Sequence, residues 1–257
     1  MVDVEVEHVS DVITCAFHFP HHLPTAIKAE DTSHPFVAGE YEYYWKYAAN
    51  DNFPTLYRHK RTPTATEEAV LSVREEGAGL VYVAVRDVCV SVDGSVLAFV
   101  KDTTASETSQ LHFRDLIGAR VWEHIPLVKG YAWAGGMSGT STQHQWVFYS
   151  APDDLGRPSR VYLHKLGSPV EDDVIIYTED DPSCFVSLYT TRDKAYIILS
   201  SNSKTSSEVH AIPAHAPHTP PLLIHRRIEG VQFFVEHRHG AFYAVTNAPR
   251  NGYMGDS

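Results

Sequence analysis

The chain has 257 residues, is 43% hydrophobic and 21% charged, and carries a formal charge of −11. That length supports one large domain or two small ones with a buried core, and the composition is not that of a disordered chain. The acidic balance argues against nucleic acid or an anionic membrane as partner, and no apolar run approaches the ~20 residues of a spanning helix.

Residues 1–30 lack the basic segment and apolar core of a secretory signal. Cys15, Cys89 and Cys184 are odd in number and far apart. They predict reduced thiols in a cytoplasmic compartment, with Cys89 in the core. Residues 1–40 read as an N-terminal segment, partly irregular or helical. One or two helical turns are expected in His18 to Glu30, limited by Pro20 and Pro24.

From Tyr41 onward the pattern is period-two alternation in short runs closed by turn residues. Tyr41–Tyr47, Thr55–His59 and Ala69–Val73 come first. Val88–Val92 and Val96–Val100 follow, joined at Asp93-Gly94, a dipeptide that predicts a hairpin with a type I′ turn. Gln110–Arg114 and Val121-Trp122 complete that group. Tyr131–Ala134, Trp146–Ser150, Arg160–Lys165 and Val174–Tyr177 form the next. Phe185–Tyr189, Ala195–Ser200, Glu208–Ile212 and Leu222–His225 form another, and Gln232–Glu236 with Ala241–Thr246 close the series. Groups of about four strands thus recur every ~40–50 residues, the period of a β-propeller blade. A β-sandwich or a two-domain all-β protein would give similar short strands. No strand–helix alternation is present, which disfavours a doubly wound fold.

Candidate chemistry is thin. Gly136-Met137-Ser138-Gly139-Thr140 approaches a G-x-S-x-G nucleophile elbow but lacks its last glycine and lies between strands. A hairpin loop is the plainer account. Among sixteen histidines, His18, His21 and His22 cluster, His237 and His239 flank Arg238, and His215 and His218 sit in a proline-rich loop. None has the spacing of a zinc site, so surface or loop histidines are expected. Glu171-Asp172-Asp173 and Glu179-Asp180-Asp181 bracket the run Val174–Tyr177. They read as solvated turn residues. The alternatives are the paired carboxylates of a glycosidase, a calcium site without its D-x-D-x-D-G loop, or a negative rim that attracts cationic peptides. No phosphate-cradling loop occurs, and Arg226-Arg227 with Arg238 are too few for a basic patch. No catalytic, cofactor-binding or metal-binding residue is assigned.

Several strings in order carry a family resemblance. They are Asp31-Thr32-Ser33-His34-Pro35 leading into Glu40-Tyr41-Glu42-Tyr43-Tyr44, Val90-Ser91-Val92-Asp93-Gly94-Ser95 with Leu97-Ala98-Phe99, and Val161-Tyr162-Leu163-His164-Lys165-Leu166-Gly167. Asp173-Val174-Ile175-Ile176-Tyr177-Thr178-Glu179-Asp180-Asp181, Thr205-Ser206-Ser207-Glu208-Val209, Val235-Glu236-His237-Arg238-His239-Gly240 and Phe242-Tyr243-Ala244-Val245-Thr246-Asn247 continue it. Together they resemble the amino-terminal propeller of the prolyl oligopeptidase family of serine peptidases, nearest its oligopeptidase B branch, over about Ile27 to Asn247. Residues 1–26 match poorly.

The resemblance implies an all-β, incomplete propeller: about four blades plus part of a fifth, of a seven-bladed family fold, over residues 41–257. It implies that the α/β-hydrolase domain with its Ser-Asp-His triad is absent here, so that the chain is a fragment, a truncated product or an incomplete gene model, inactive alone. In such peptidases the propeller gates access and selects short peptides, cleaved after Arg or Lys in the oligopeptidase B branch, with no metal or organic cofactor. The expected partners are short, basic peptides through the full-length enzyme, and the missing hydrolase domain. An open array also predicts self-association through its exposed end faces. The alternative function is a non-catalytic propeller-type protein-binding module or a decayed gene product.

Overall fold

The computed structural model describes residues 31–49, 51–106, 109–118, 121–135 and 146–248. The segment expected to hold helical turns, 18–30, lies outside them. Two compact units divide at Glu76 and Gly77.

In the first unit, β1 (Asp31–Thr32), β2 (Phe36–Ala38), β3 (Tyr41–Tyr47), β4 (Thr55–Lys60) and β5 (Glu68–Ser72) form one antiparallel sheet in the order β1-β3-β4-β5, with β2 also on β3. A single helical turn, α1 (Val73–Glu76), ends the unit. Tyr43, Leu56 and Leu71 lie buried on neighbouring strands. On the opposite face Tyr44 stacks on Tyr57, and the Lys46 ammonium lies over both rings while pairing with Glu67 at 2.6 Å.

The second unit repeats one plan. β6 (Ala84–Val90), β7 (Val96–Asp102), β8 (Ser109–Asp115) and β9 (Val121–Ile125) form a four-stranded antiparallel meander. So do β10 (Gly130–Trp133), β11 (Trp146–Pro152), β12 (Pro158–Lys165) and β13 (Val174–Thr178). So, in turn, do β14 (Phe185–Thr190), β15 (Tyr196–Asn202), β16 (Ser207–Pro213) and β17 (Leu222–His225). A two-stranded sheet, β18 (Phe233–Arg238) with β19 (Ala241–Thr246), follows.

Period two explains the packing. Successive side chains of a strand point to opposite faces, and each middle sheet has both faces covered. Val147 and Tyr149 join Val96, Ala98, Leu111 and Phe113 in one core. Phe148, Val161 and Leu163, on the reverse face, join Val186, Ile197 and Leu199 in the next. Ile198, Val209 and Ala211 then pack on Val235 of β18. Central strands therefore read as continuous apolar runs: Val96 to Val100 is buried throughout. Each large side chain so buried contributes about 1.5–3 kcal/mol. A sandwich would interleave distant strands between two sheets; here every sheet of the second unit is built from consecutive strands. That is the blade organisation of a β-propeller, all-β and incomplete.

The β6–β7 hairpin forms as expected, but its turn is not type I′. Only Gly94 has positive φ, at 76°, and Asp93 does not. The Ser91 amide donates to the Val96 carbonyl at 2.8 Å and the Gly94 amide to the Ser91 carbonyl at 2.9 Å. This is a four-residue loop around a type I turn ending in a left-handed residue. Asp93 Oδ1 stabilises it by accepting from the Ser91 hydroxyl and the Ser95 amide. The β14–β15 turn repeats it: Thr191, Asp193 and Lys194 stand for Ser91, Asp93 and Gly94, with Lys194 at φ 59°. Among the described residues no helix is long and apolar enough to cross a membrane.

Candidate functional site

The first strand of each four-stranded sheet of the second unit is an edge strand, and β6, β10 and β14 converge on a cavity of about 420 Å³. Asp87, Cys89, Tyr131, Trp133, Leu188 and Tyr189 line it. The register of β6 on β7 shifts between Arg86 and Cys89, and Asp87 takes a left-handed φ of 48° within that bulge. Bulges re-aim side chains and interrupt pairing. The Tyr131 hydroxyl holds this one in place, donating to the Asp87 carbonyl and, at 3.0 Å, to the Ala98 carbonyl. Cys89, expected in the core, instead has an exposed thiol on the cavity wall. The apolar neighbours in its own strand come from the bulged edge, not from a central strand. The concave surroundings still desolvate the thiol and push its pKa up, against the weaker pull of Lys194.

The acidic clusters are not uniformly solvated turns. Glu171, Asp172 and Asp180 are exposed, but the Asp173 side chain is only 2% exposed and that of Glu179 6%. Asp173 accepts a hydrogen bond from the Tyr149 hydroxyl at 2.8 Å and lies 2.7 Å from His164 Nδ1. Glu179 pairs with Arg227 at 2.5 Å and accepts from the Ser201 hydroxyl and, at 2.9 Å, from the Asp181 amide. Burial raises the Glu179 pKa, and Arg227, Ser201 and the Asp181 amide together outweigh it and leave it lowered. Asp173 anchors its own sheet, through β11 and β12, and Glu179 anchors that sheet to the next. Solvation was the wrong reading for these two because Tyr149, His164, Ser201 and Arg227, 9 to 48 residues away, come to them only in the folded sheets.

The histidines divide similarly. His237 is buried, not a surface residue: its Nδ1 lies 2.6 Å from Asp193 Oδ2 and its ring contacts Tyr196 and Phe242. His239 lies in the β18–β19 turn at φ 51°. His218 packs edge-on against Trp146, with ring centroids 4.4 Å apart, and His215 lies in the same β16–β17 connection. His18, His21, His22, Cys15 and the Gly136 to Thr140 string, with Ser138, fall outside the described residues. His164–Asp173 and His237–Asp193 each resemble the base and orienting carboxylate of a triad. Among the described residues, no hydroxyl or thiol hydrogen-bonds the remaining nitrogen of either ring. Nor is any group of three or more His, Cys, Asp or Glu there arranged to hold a metal ion.

Sequence reasoning missed Arg157. It lies in the β11–β12 turn, is held by Asp153 at 2.8 Å, and donates to the carbonyls of Cys184, at 2.8 Å, and Glu179, at 3.2 Å. It thereby fixes the connection from β13 to β14. Its signal was the Asp153-to-Arg157 spacing across a turn.

The comparisons agree with this architecture. The family described as "Prolyl oligopeptidase, N-terminal beta-propeller domain" matches residues 20–254. "Protease 2" of Moraxella lacunata is 29% identical over 220 residues, covering 83% of this chain and 31% of that protein. "Prolyl endopeptidase-like" of Xenopus laevis is 49% identical over 71 residues, covering 28% of this chain and 10% of that protein. Oligopeptidase B of Leishmania major superposes with a TM-score of 0.77 at 23% identity, over 86% of this chain and 31% of that one, a likeness of fold. The chain spans about a third of the length of that Moraxella lacunata protease. With a five-stranded sheet, three four-stranded meanders and a final pair of strands all lying within the matched residues 20–254, the chain belongs to the prolyl oligopeptidase family, as its N-terminal β-propeller domain.

Proposed function

We propose that this chain is the gating and substrate-selecting portion of a serine-type oligopeptidase that cleaves short peptides after Arg or Lys. The observation that carries the reading is the family match across all the described sheets. Two features support peptide selection near the cavity. The edge strands β6, β10 and β14 can pair with an extended peptide through their unused backbone groups. Asp87, on the cavity wall, and the net charge of −11 favour cationic peptides.

The proposal assigns residues 1–40 to an N-terminal segment and 41–257 to blades. It assigns nucleophile, base and oxyanion donors to an α/β-hydrolase partner domain, and the whole to the cytoplasm, in keeping with free Cys89 and Cys184. Self-association of the isolated chain belongs to the same reading. Phe234, Tyr243 and Val245 are 59%, 57% and 74% exposed on one face of the β18–β19 sheet, which makes that face adhesive.

The test is hydrolysis of a fluorogenic Arg-Arg peptide by the purified chain, with and without a serine-directed phosphonate. No inhibitable turnover is expected. Inhibitable turnover overturns the assignment of chemistry to another domain and returns attention to Ser138. In parallel, a labelled Arg-containing peptide should bind more tightly than its Glu-containing counterpart; equal binding removes the basic preference.

A further inference from the structure

His164 sits at the seam where the β10–β13 sheet packs on the β6–β9 sheet. Its side chain is fully buried. Nδ1 lies 2.7 Å from Asp173 Oδ1, within its own sheet. Nε2 faces Glu123 Oε1 of β9, across the seam, at 3.5 Å; this is an ionic contact without a formed hydrogen bond. Glu123 reaches back as well, its two oxygens accepting from the Gly167 amide at 3.0 and 3.1 Å. The Phe113 ring of β8 lies nearly parallel to the imidazole, with centroids 6.2 Å apart, and Tyr149 of β11 donates to the other Asp173 oxygen. The charged and titratable groups facing the ring are therefore Asp173, Glu123 and Tyr149. His112 and His124 stack on each other on the opposite face of the β8–β9 pair.

A neutral imidazole has one N–H and one lone pair. If Nδ1–H points at Asp173, the lone pair of Nε2 points at the Glu123 carboxylate, two negative ends face to face in a buried site. If the tautomer is reversed, the lone pair faces Asp173. Only the imidazolium offers a proton to both carboxylates, and only it places a cation over the Phe113 ring.

We propose that His164, Asp173 and Glu123 form a pH-sensitive latch, closed when the imidazole is protonated, that ties the β6–β9 and β10–β13 sheets together and releases their seam as the pH rises. Burial by itself lowers the His164 pKa, but Glu123 and Asp173 outweigh it and leave it raised. The sign follows. A group whose folded-state pKa is raised gives stability that is complete below its unfolded value of 6.5 and lost as the pH climbs through the folded value. In that window one proton is released on opening, so the seam's opening equilibrium rises by up to about tenfold per pH unit.

Two readouts by mass spectrometry on the full chain test this. The slow exchange of the imidazole Cε1 hydrogen gives the titration midpoint of His164 directly. Amide exchange of β9 and β12, corrected for intrinsic rates, gives the opening of the seam between pH 6 and 9. Expected is a midpoint above about 6.5 and protection of β9 and β12 that falls with pH. The Glu123→Gln variant, whose fold is checked by circular dichroism, should show a lower midpoint and a flatter fall. A midpoint at or below the ordinary value, pH-independent protection, or a Glu123→Gln profile identical to the parent's overturns the latch. The first two readings need no variant to fold.

Discussion

Replacing Arg227 by alanine removes the cation against which Glu179 is buried. The two side chains are 25% and 6% exposed and meet at 2.5 Å. Breaking a buried pair from one side typically costs about 3–5 kcal/mol, because the remaining charge is stranded. Glu179 keeps three donors, the Ser201 and Tyr177 hydroxyls and the Asp181 amide, and water can enter beside the partly exposed Arg227 position. The expected loss is therefore about 2–3 kcal/mol. Its pH dependence has a definite sign. The lowered Glu179 pKa means that the ionised pair stabilises above about pH 4.5 and fades as the pH falls through the folded value. Urea unfolding followed by circular dichroism at pH 7 and at pH 4 measures both, and amide exchange locates the loss on β13 and β15. The Glu179→Gln/Arg227→Met double variant, which leaves no stranded charge, should lose less than Arg227→Ala alone. A change within about 0.5 kcal/mol at neutral pH, the range of ordinary surface substitutions, refutes the reasoning. So does a penalty that persists unchanged in acid.

Phe148→Ala empties a fully buried site between two sheets and should cost about 3–5 kcal/mol by the same unfolding assay. Tyr189→Phe removes the hydroxyl that donates to the Val235 carbonyl at 2.5 Å; a loss of about 1 kcal/mol is expected, with exchange quickened on β18 and unchanged on β8. Phe234→Glu, on the exposed face of β18 and directly opposite Val245, should shift sedimentation toward smaller species at equal concentration; an unchanged distribution removes that face from self-association.

Most strands of the second unit were legible because their cores are built from alternate residues: Leu222–His225 and Ala241–Thr246 match the expected bounds. Strand ends shifted where pairing runs past the apolar run, as at Lys101 and Asp102, which continue the ladder with β8. β1 and β2, of two and three residues, are too short to show any period. α1 took Val73 from the expected third strand, its amide bonding the Pro54 carbonyl. The polar anchors were illegible for a different reason. Asp173 and Glu179 look like their exposed neighbours, and only the positions of His164, Ser201 and Arg227 set them apart. Cys89 was misplaced because local apolarity does not reveal a bulge at a sheet edge.

In the second unit every described strand pairs with the strand just before or just after it in sequence. Contact order is thus low for an all-β chain, and the slow search for distant partners is largely avoided. A ribosome adding about 5–20 residues per second delivers one such sheet every few seconds, while a hairpin closes in about 1–10 μs. Each sheet can mature before the next has emerged, using its predecessor's bare face as a template. During synthesis the growing end of the second unit then presents one sheet's apolar face at a time to chaperones or to neighbouring polysome chains.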